Sequence, residues 1–115
     1  MEKYSDILIE RAKIIKEWNK YMPKIAEAAK TLMPDARIYI FGSIVKGEAV
    51  GGSDIDVLII SKDIPKSNIE RAKIKIKIEE FSKLPSHSPF EFHLANEEEM
   101  KWYLKIKELK EYKLI

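Results

Sequence analysis

Apolar positions recur at helical spacing over residues 4 to 32. Leu8, Ile15, Met22 and Ala29 fall every seven residues, as do Trp18, Ile25 and Leu32. The spacing predicts a helical segment with one broad apolar stripe. Pro23 lacks a backbone donor inside it, so a kink or break is expected near Met22. Pro34 and Asp35 end the segment. Residues 37 to 41, Arg-Ile-Tyr-Ile-Phe, are β-branched and aromatic and read as a strand that Gly42 stops. A second strand is expected over 54 to 60, where the run Val57-Leu58-Ile59-Ile60 predicts burial on both faces. Ser67-Asn68-Ile69-Glu70 has the pattern of a capping box and predicts a helix over 67 to 83, although Lys73 to Ile78 alternates as a strand would. On that helix Ile69, Ala72 and Ile76 share one face, and Ile74, Ile78 and Phe81 share nearly the opposite one. One face can pack on a sheet; the other would need a second partner. Residues 89 to 94 alternate as a third strand. Asn96 with Glu99 starts a last helix, and Lys105, Lys107 and Lys110 near its end suit the helix dipole. The order α-β-loop-β-α-β-α predicts an α/β (α+β) fold, with a small mixed sheet of about three strands flanked by helices.

Length and composition narrow the picture. The 115 residues make one domain, expected to span 1–115. Lys plus Arg is 21 and Asp plus Glu is 19, a net charge of +2, which excludes a polybasic tail but not a local basic patch; direct nucleic-acid binding is not expected. The lysines at 62, 66, 73, 75, 77 and 83 are interspersed with Glu70, Glu79 and Glu80, the pattern of a solvated face. There is no cysteine, so disulfides and thiolate zinc sites are excluded. No apolar run approaches the roughly 20 residues that span a bilayer, and the N-terminus carries early acids without a signal-peptide core. A cytoplasmic protein with no membrane contact is expected. The absence of Gln and abundance of Ile, Lys and Glu fit a hot organism. Met100, Tyr103, Leu104, Ile106 and Leu109 form a wide apolar arc that suits a core or a homo-oligomer interface.

Candidate chemistry gathers in the middle of the chain. All four glycines lie between residues 42 and 53. Strand geometry puts Asp54 and Asp56 on one face, about 7 Å apart, with Ile55 facing away. Two such carboxylates repel unless a cation joins them, and an oxygen-only donor set suits Mg²⁺. Standing alone, the pair reads first as an exposed and idle strand entry. Gly42 allows backbone to approach a ligand closely, Ser43 offers a hydroxyl and an amide, and Lys46 can reach an anion. On the third strand Phe90, Phe92 and Leu94 should face the core, leaving Glu91 and His93 on the other side. His93 could meet a phosphate or a metal, or be an ordinary strand histidine.

Phe41-Gly42-Ser43, ten residues, then Asp54-Ile55-Asp56 resembles the signature of the polymerase-beta-like nucleotidyltransferase superfamily. The fuller stretch FGSIVKGEAVGGSDIDVLII is similar to the minimal nucleotidyltransferases, the MNT proteins, with Lys46-Gly47, Glu48-Ala49 and Ser53 at matching places. The resemblance implies transfer of AMP from ATP to a protein hydroxyl by in-line displacement at the α-phosphate. Two Mg²⁺ ions, roughly 3.5–4 Å apart, would neutralise attacking and leaving oxygens. Asp54, Asp56 and a third carboxylate, for which Glu91 stands where many members have Asp, would be the catalytic metal ligands. Gly42, Ser43, Lys46 and Ser53 would hold the nucleotide. The resemblance further implies an antitoxin whose partner is a HEPN-type helical ribonuclease encoded nearby, the short chain leaving the remaining surface to that partner. The alternatives are a catalytically weak module that masks such a partner, or a nucleotidyltransferase acting on RNA or a small molecule.

Overall fold

The computed structural model describes residues 3–47, 54–85, 87–106 and 108–113. In chain order these form α1 (Tyr4–Lys16), α2 (Trp18–Leu32), β1 (Arg37–Phe41), α3 (Ser43–Lys46), β2 (Ile55–Ile60), α4 (Asn68–Ser82), β3 (Phe90–Ala95), α5 (Glu97–Ile106) and β4 (Lys110–Tyr112). The strands lie in the order β3-β2-β1-β4. β1 runs antiparallel to β2 and β4, and β2 runs parallel to β3, so the sheet is mixed and has four strands where the sequence predicts about three. β4 is a three-residue edge strand built from Lys110-Glu111-Tyr112, too short and polar to carry a pattern.

The first helical segment divides at Glu17, not at Met22 as Pro23 suggests. Pro23 sits in the second turn of α2, and the helix continues through it to Leu32. α4 starts where the cap predicts, with Ser67 Oγ accepting from the Glu70 amide at 3.3 Å. It is helical throughout, so the alternation from Lys73 to Ile78 does not make a strand. α5 opens on a reciprocal capping box: the Glu99 amide donates to Asn96 Oδ1 at 2.8 Å, and the Asn96 amide to Glu99 Oε1 at 3.1 Å.

Two-residue periodicity sorts the strands into two faces. Ile38, Ile40, Ile55, Val57, Ile59, Phe90, Phe92 and Leu94 point into one core with Ile14 and Ile15 of α1, Met22 and Ile25 of α2, and Ile78 of α4. Tyr39, Phe41, Leu58, Ile60 and Ala95 form a smaller cluster on the opposite face, packed against Met100 and Tyr103 of α5 and against Leu109. β2 is therefore buried from Val57 to Ile60 on both sides, as its apolar run predicts. Arg71 of α4 ties the layers together. Its Nε donates to the Pro65 carbonyl at 2.7 Å, and its two terminal nitrogens fork onto Glu99 at 3.1 and 2.8 Å. Of the opposite α4 face, Ile69 and Ile76 stand in solvent.

Candidate active site

α5 covers only part of its face of the sheet. Beyond it, at the starts of β2 and β3, the outward positions turn from apolar to polar. The parallel register sets Asp56 of β2 directly beside Glu91 of β3, and places His93 one pleat further on beside Leu58. His93 Nε2 lies 3.0 Å from Asp56 Oδ1 and 3.9 Å from Glu91 Oε1. One ligand atom from each of the three lies within 4.8 Å of the others. The imidazole is braced from behind by Phe41, 5.1 Å away between ring centroids, and by the edge of Tyr103 at 6.2 Å. Burial pushes the Tyr103 phenol up from its ordinary range, with a smaller contribution from Glu99, so it stands as a neutral hydroxyl.

Gly42 is fitted to this cluster. Its φ of 85° and ψ of −155° lie in a region that essentially only glycine enters. A Cβ added there would sit 2.6 Å from Asp56 Oδ2. The backbone between β1 and α3 thus passes against the carboxylate with no room for a side chain. Ser43 opens α3 and Lys46 closes it, directly after that contact. Ser53 lies outside the described residues, as do Glu48 and Ala49.

Asp54 is placed differently. It precedes the first residue of β2, and its Oδ1 pairs with Arg11 Nη2 of α1 at 3.0 Å. Arg11 Nη1 also donates to the carbonyls of His87 and Ser88, each at 3.3 Å. Of the three acids singled out in the sequence, the structure gathers Asp56 and Glu91 and turns Asp54 toward α1. His93 joins the gathered pair. Sequence reasoning missed Arg11, which belongs to no motif and meets Asp54 across 43 positions.

The donor set fits a hard divalent cation. Adjacent carboxylates suit Mg²⁺ or Mn²⁺, whereas imidazole is a ligand more typical of zinc, copper and nickel. His93 is accordingly suited to orient Asp56 by hydrogen bonding, the role that outer groups take around metal-binding carboxylates.

A mixed sheet with an acidic pair at the starts of neighbouring parallel strands, after a glycine turn, has the form of a nucleotidyltransferase-type domain. Residues 22–115 match the family model described as nucleotidyltransferase domain, and the chain belongs to that family. A crystal structure of a candidate nucleotidyltransferase from Sulfolobus solfataricus superposes with a TM-score of 0.60, over all of this chain and 97% of that one, at 24% identity, and so shares its fold. A candidate protein adenylyltransferase of Methanocaldococcus jannaschii is 49% identical over 37 residues, which cover 32% of this chain. That match spans a quarter of the relative's own length. Among the described residues no helix is long and apolar enough to cross a membrane.

Proposed function

We propose that this domain transfers AMP from ATP to a hydroxyl of a partner protein, with pyrophosphate as the leaving group, in a Mg²⁺-dependent reaction centred on Asp56 and Glu91. The observation that carries the reading is the juxtaposition of these two carboxylates with Gly42, whose backbone has room for no side chain beside Asp56. Asp56, Glu91 and, once released from Arg11, Asp54 would hold the divalent ions. Bound there, the ions would supply charge neutralisation for the attacking and leaving oxygens. The turn from Gly42 into Ser43 would seat the outer phosphates on backbone amides, with Lys46 adding positive charge at the same turn. Glu91, exposed at the mouth, would accept the proton of the incoming hydroxyl. Ser53 is assigned a nucleotide contact on the motif alone.

A protein acceptor is supported by the described nature of the Methanocaldococcus jannaschii relative. It is also supported by large apolar side chains in solvent on α4 and α5, among them Ile69, Phe81, Trp102 and Leu104. Such side chains suit a helical partner of the HEPN type, whose modification or masking would make the domain an antitoxin. The test is direct. The protein is incubated with α-labelled ATP, Mg²⁺ and the product of the adjacent reading frame, beside an Asp56→Asn variant. Label on the neighbour with the intact protein alone is the expected result. Equal labelling by both proteins would refute the assignment. Tight association without label would favour the masking module over the transferase.

A further inference from the structure

Arg11 lies on α1, outside the segment that matches the family model, yet it contacts one of the acids of the proposed site. Its anchorage is firm. Ile14 and Ile15, the next turn of α1, are buried in the main core and fix the helix against the sheet. From there the guanidinium reaches the carbonyls of His87 and Ser88 with one nitrogen and Asp54 with the other. Only 17% of the Arg11 side chain is exposed, against 55% for Asp54. The cation is therefore held by the fold, and the acid at the rim is held by the cation.

A guanidinium 3.0 Å from Asp54 Oδ1 neutralises a carboxylate that a second divalent ion would need as a ligand. Arg cannot lose its proton to make way, so release requires a competing anion or a movement. A planar guanidinium matches phosphate as it does carboxylate, so an incoming polyphosphate can compete with Asp54 for it. Because Nη1 has its own acceptors, Nη2 can leave Asp54 while the side chain stays moored.

We propose that Arg11 is a positioning residue that withholds Asp54 from a divalent cation until a polyphosphate draws its guanidinium away. The inference rests on the metal-site reading above. Before a triphosphate arrives, the site takes one ion, at Asp56 and Glu91. Asp54 joins as ligand to a second ion only when the substrate is in place, so metal loading is coupled to substrate binding.

Mn²⁺ titration followed by electron paramagnetic resonance tests this on the full chain, with no nucleotide present. The intact protein is expected to bind one ion tightly. Arg11→Met is expected to bind a second, with affinity raised on the order of tenfold or more over the intact protein. Superimposable isotherms for the two proteins, with Asp56→Asn abolishing the tight ion, would overturn the role of Arg11 and leave the metal site standing. Absence of any bound ion in the intact protein would overturn both. If Arg11→Met does not fold, as judged by circular dichroism, Arg11→Gln decides. A glutamine carries no charge to hold Asp54, so the second ion must again bind more tightly, and an unchanged isotherm refutes the proposal. In a second arm, with metal chelated, inorganic triphosphate is added to ¹⁵N-labelled protein. The Arg11 Nε–Hε resonance should move toward its position in Asp54→Asn, and a resonance that does not move refutes the handover.

Discussion

The two faces of the sheet are built from the same strands and do different things. On one, three helices cover Ile38, Ile40, Ile55, Val57, Ile59, Phe90, Phe92 and Leu94. On the other, α5 covers only Tyr39, Phe41, Leu58, Ile60 and Ala95, and the strand ends beyond it carry Asp56, Glu91 and His93. The difference teaches where such a domain can keep charge. A carboxylate between β2 and β3 on the first face would be desolvated by packed helices; on the second it meets solvent, a histidine and a glycine turn. The strand that bears Asp56 is nonetheless fixed by the first face, since Ile55 and Val57, its flanking residues, are fully buried there.

Truncation should separate the faces. Ile59→Ala, on the three-helix face, should cost about 2–5 kcal/mol of stability, read from the denaturation midpoint. Asp56→Asn should leave that midpoint nearly unchanged while label transfer falls on the order of 100-fold or more. A strongly destabilised Asp56→Asn would mean that the acid supports the fold and that the faces are not functionally distinct. Gly42→Ala lies between these extremes. It should cost about 1–3 kcal/mol from forced backbone geometry and weaken Mn²⁺ binding as well, because the new methyl displaces the Asp56 carboxylate. Loss of stability without loss of metal binding would detach the glycine turn from the site.

The acidic side of the pH profile should report two carboxyls that brace the fold. The Ser61 hydroxyl, 2.6 Å from Asp35 Oδ1, and then the Lys62 amide hold the Asp35 carboxyl below its usual range. The Arg71 fork does the same for Glu99. Depressed carboxyls stabilise the native state above their unfolded range, about pH 4, and that contribution is lost as pH falls through the lower folded values. Melting midpoints should therefore hold between pH 5 and pH 7 and decline below about pH 4, and Glu99→Gln should flatten the decline. Smallest of all, Trp102→Ser on the outer side of α5 should change stability by no more than about 0.5 kcal/mol, because Trp102 is 58% exposed.

Strands β1, β2 and β3 were legible in the sequence because alternation and β-branching act locally. So was α4, through Ser67 and Glu70. What the sequence left unread depends on distant parts of the chain. The helical break at Glu17 reflects how α1 and α2 seat separate residues in one core, a matter that Pro23 does not decide. β4 is legible only through its pairing with Ile38, Tyr39 and Ile40. Strand periodicity sets Asp56 beside Glu91, but Asp54 stands one residue before β2, outside its ladder, and an arginine from the first helix turns it aside. The motif thus names the acids, and the packing decides which of them lie together.

The most direct measurement is anomalous diffraction at the manganese edge, from crystals grown with Mn²⁺ and a non-hydrolysable ATP analogue. A peak should lie between the Asp56 and Glu91 carboxylates, with the analogue's phosphates against the Gly42–Ser43 turn. A bound analogue whose phosphates and metal lie away from Asp56 and Glu91 would contradict the assignment of this face of the sheet as the transfer site.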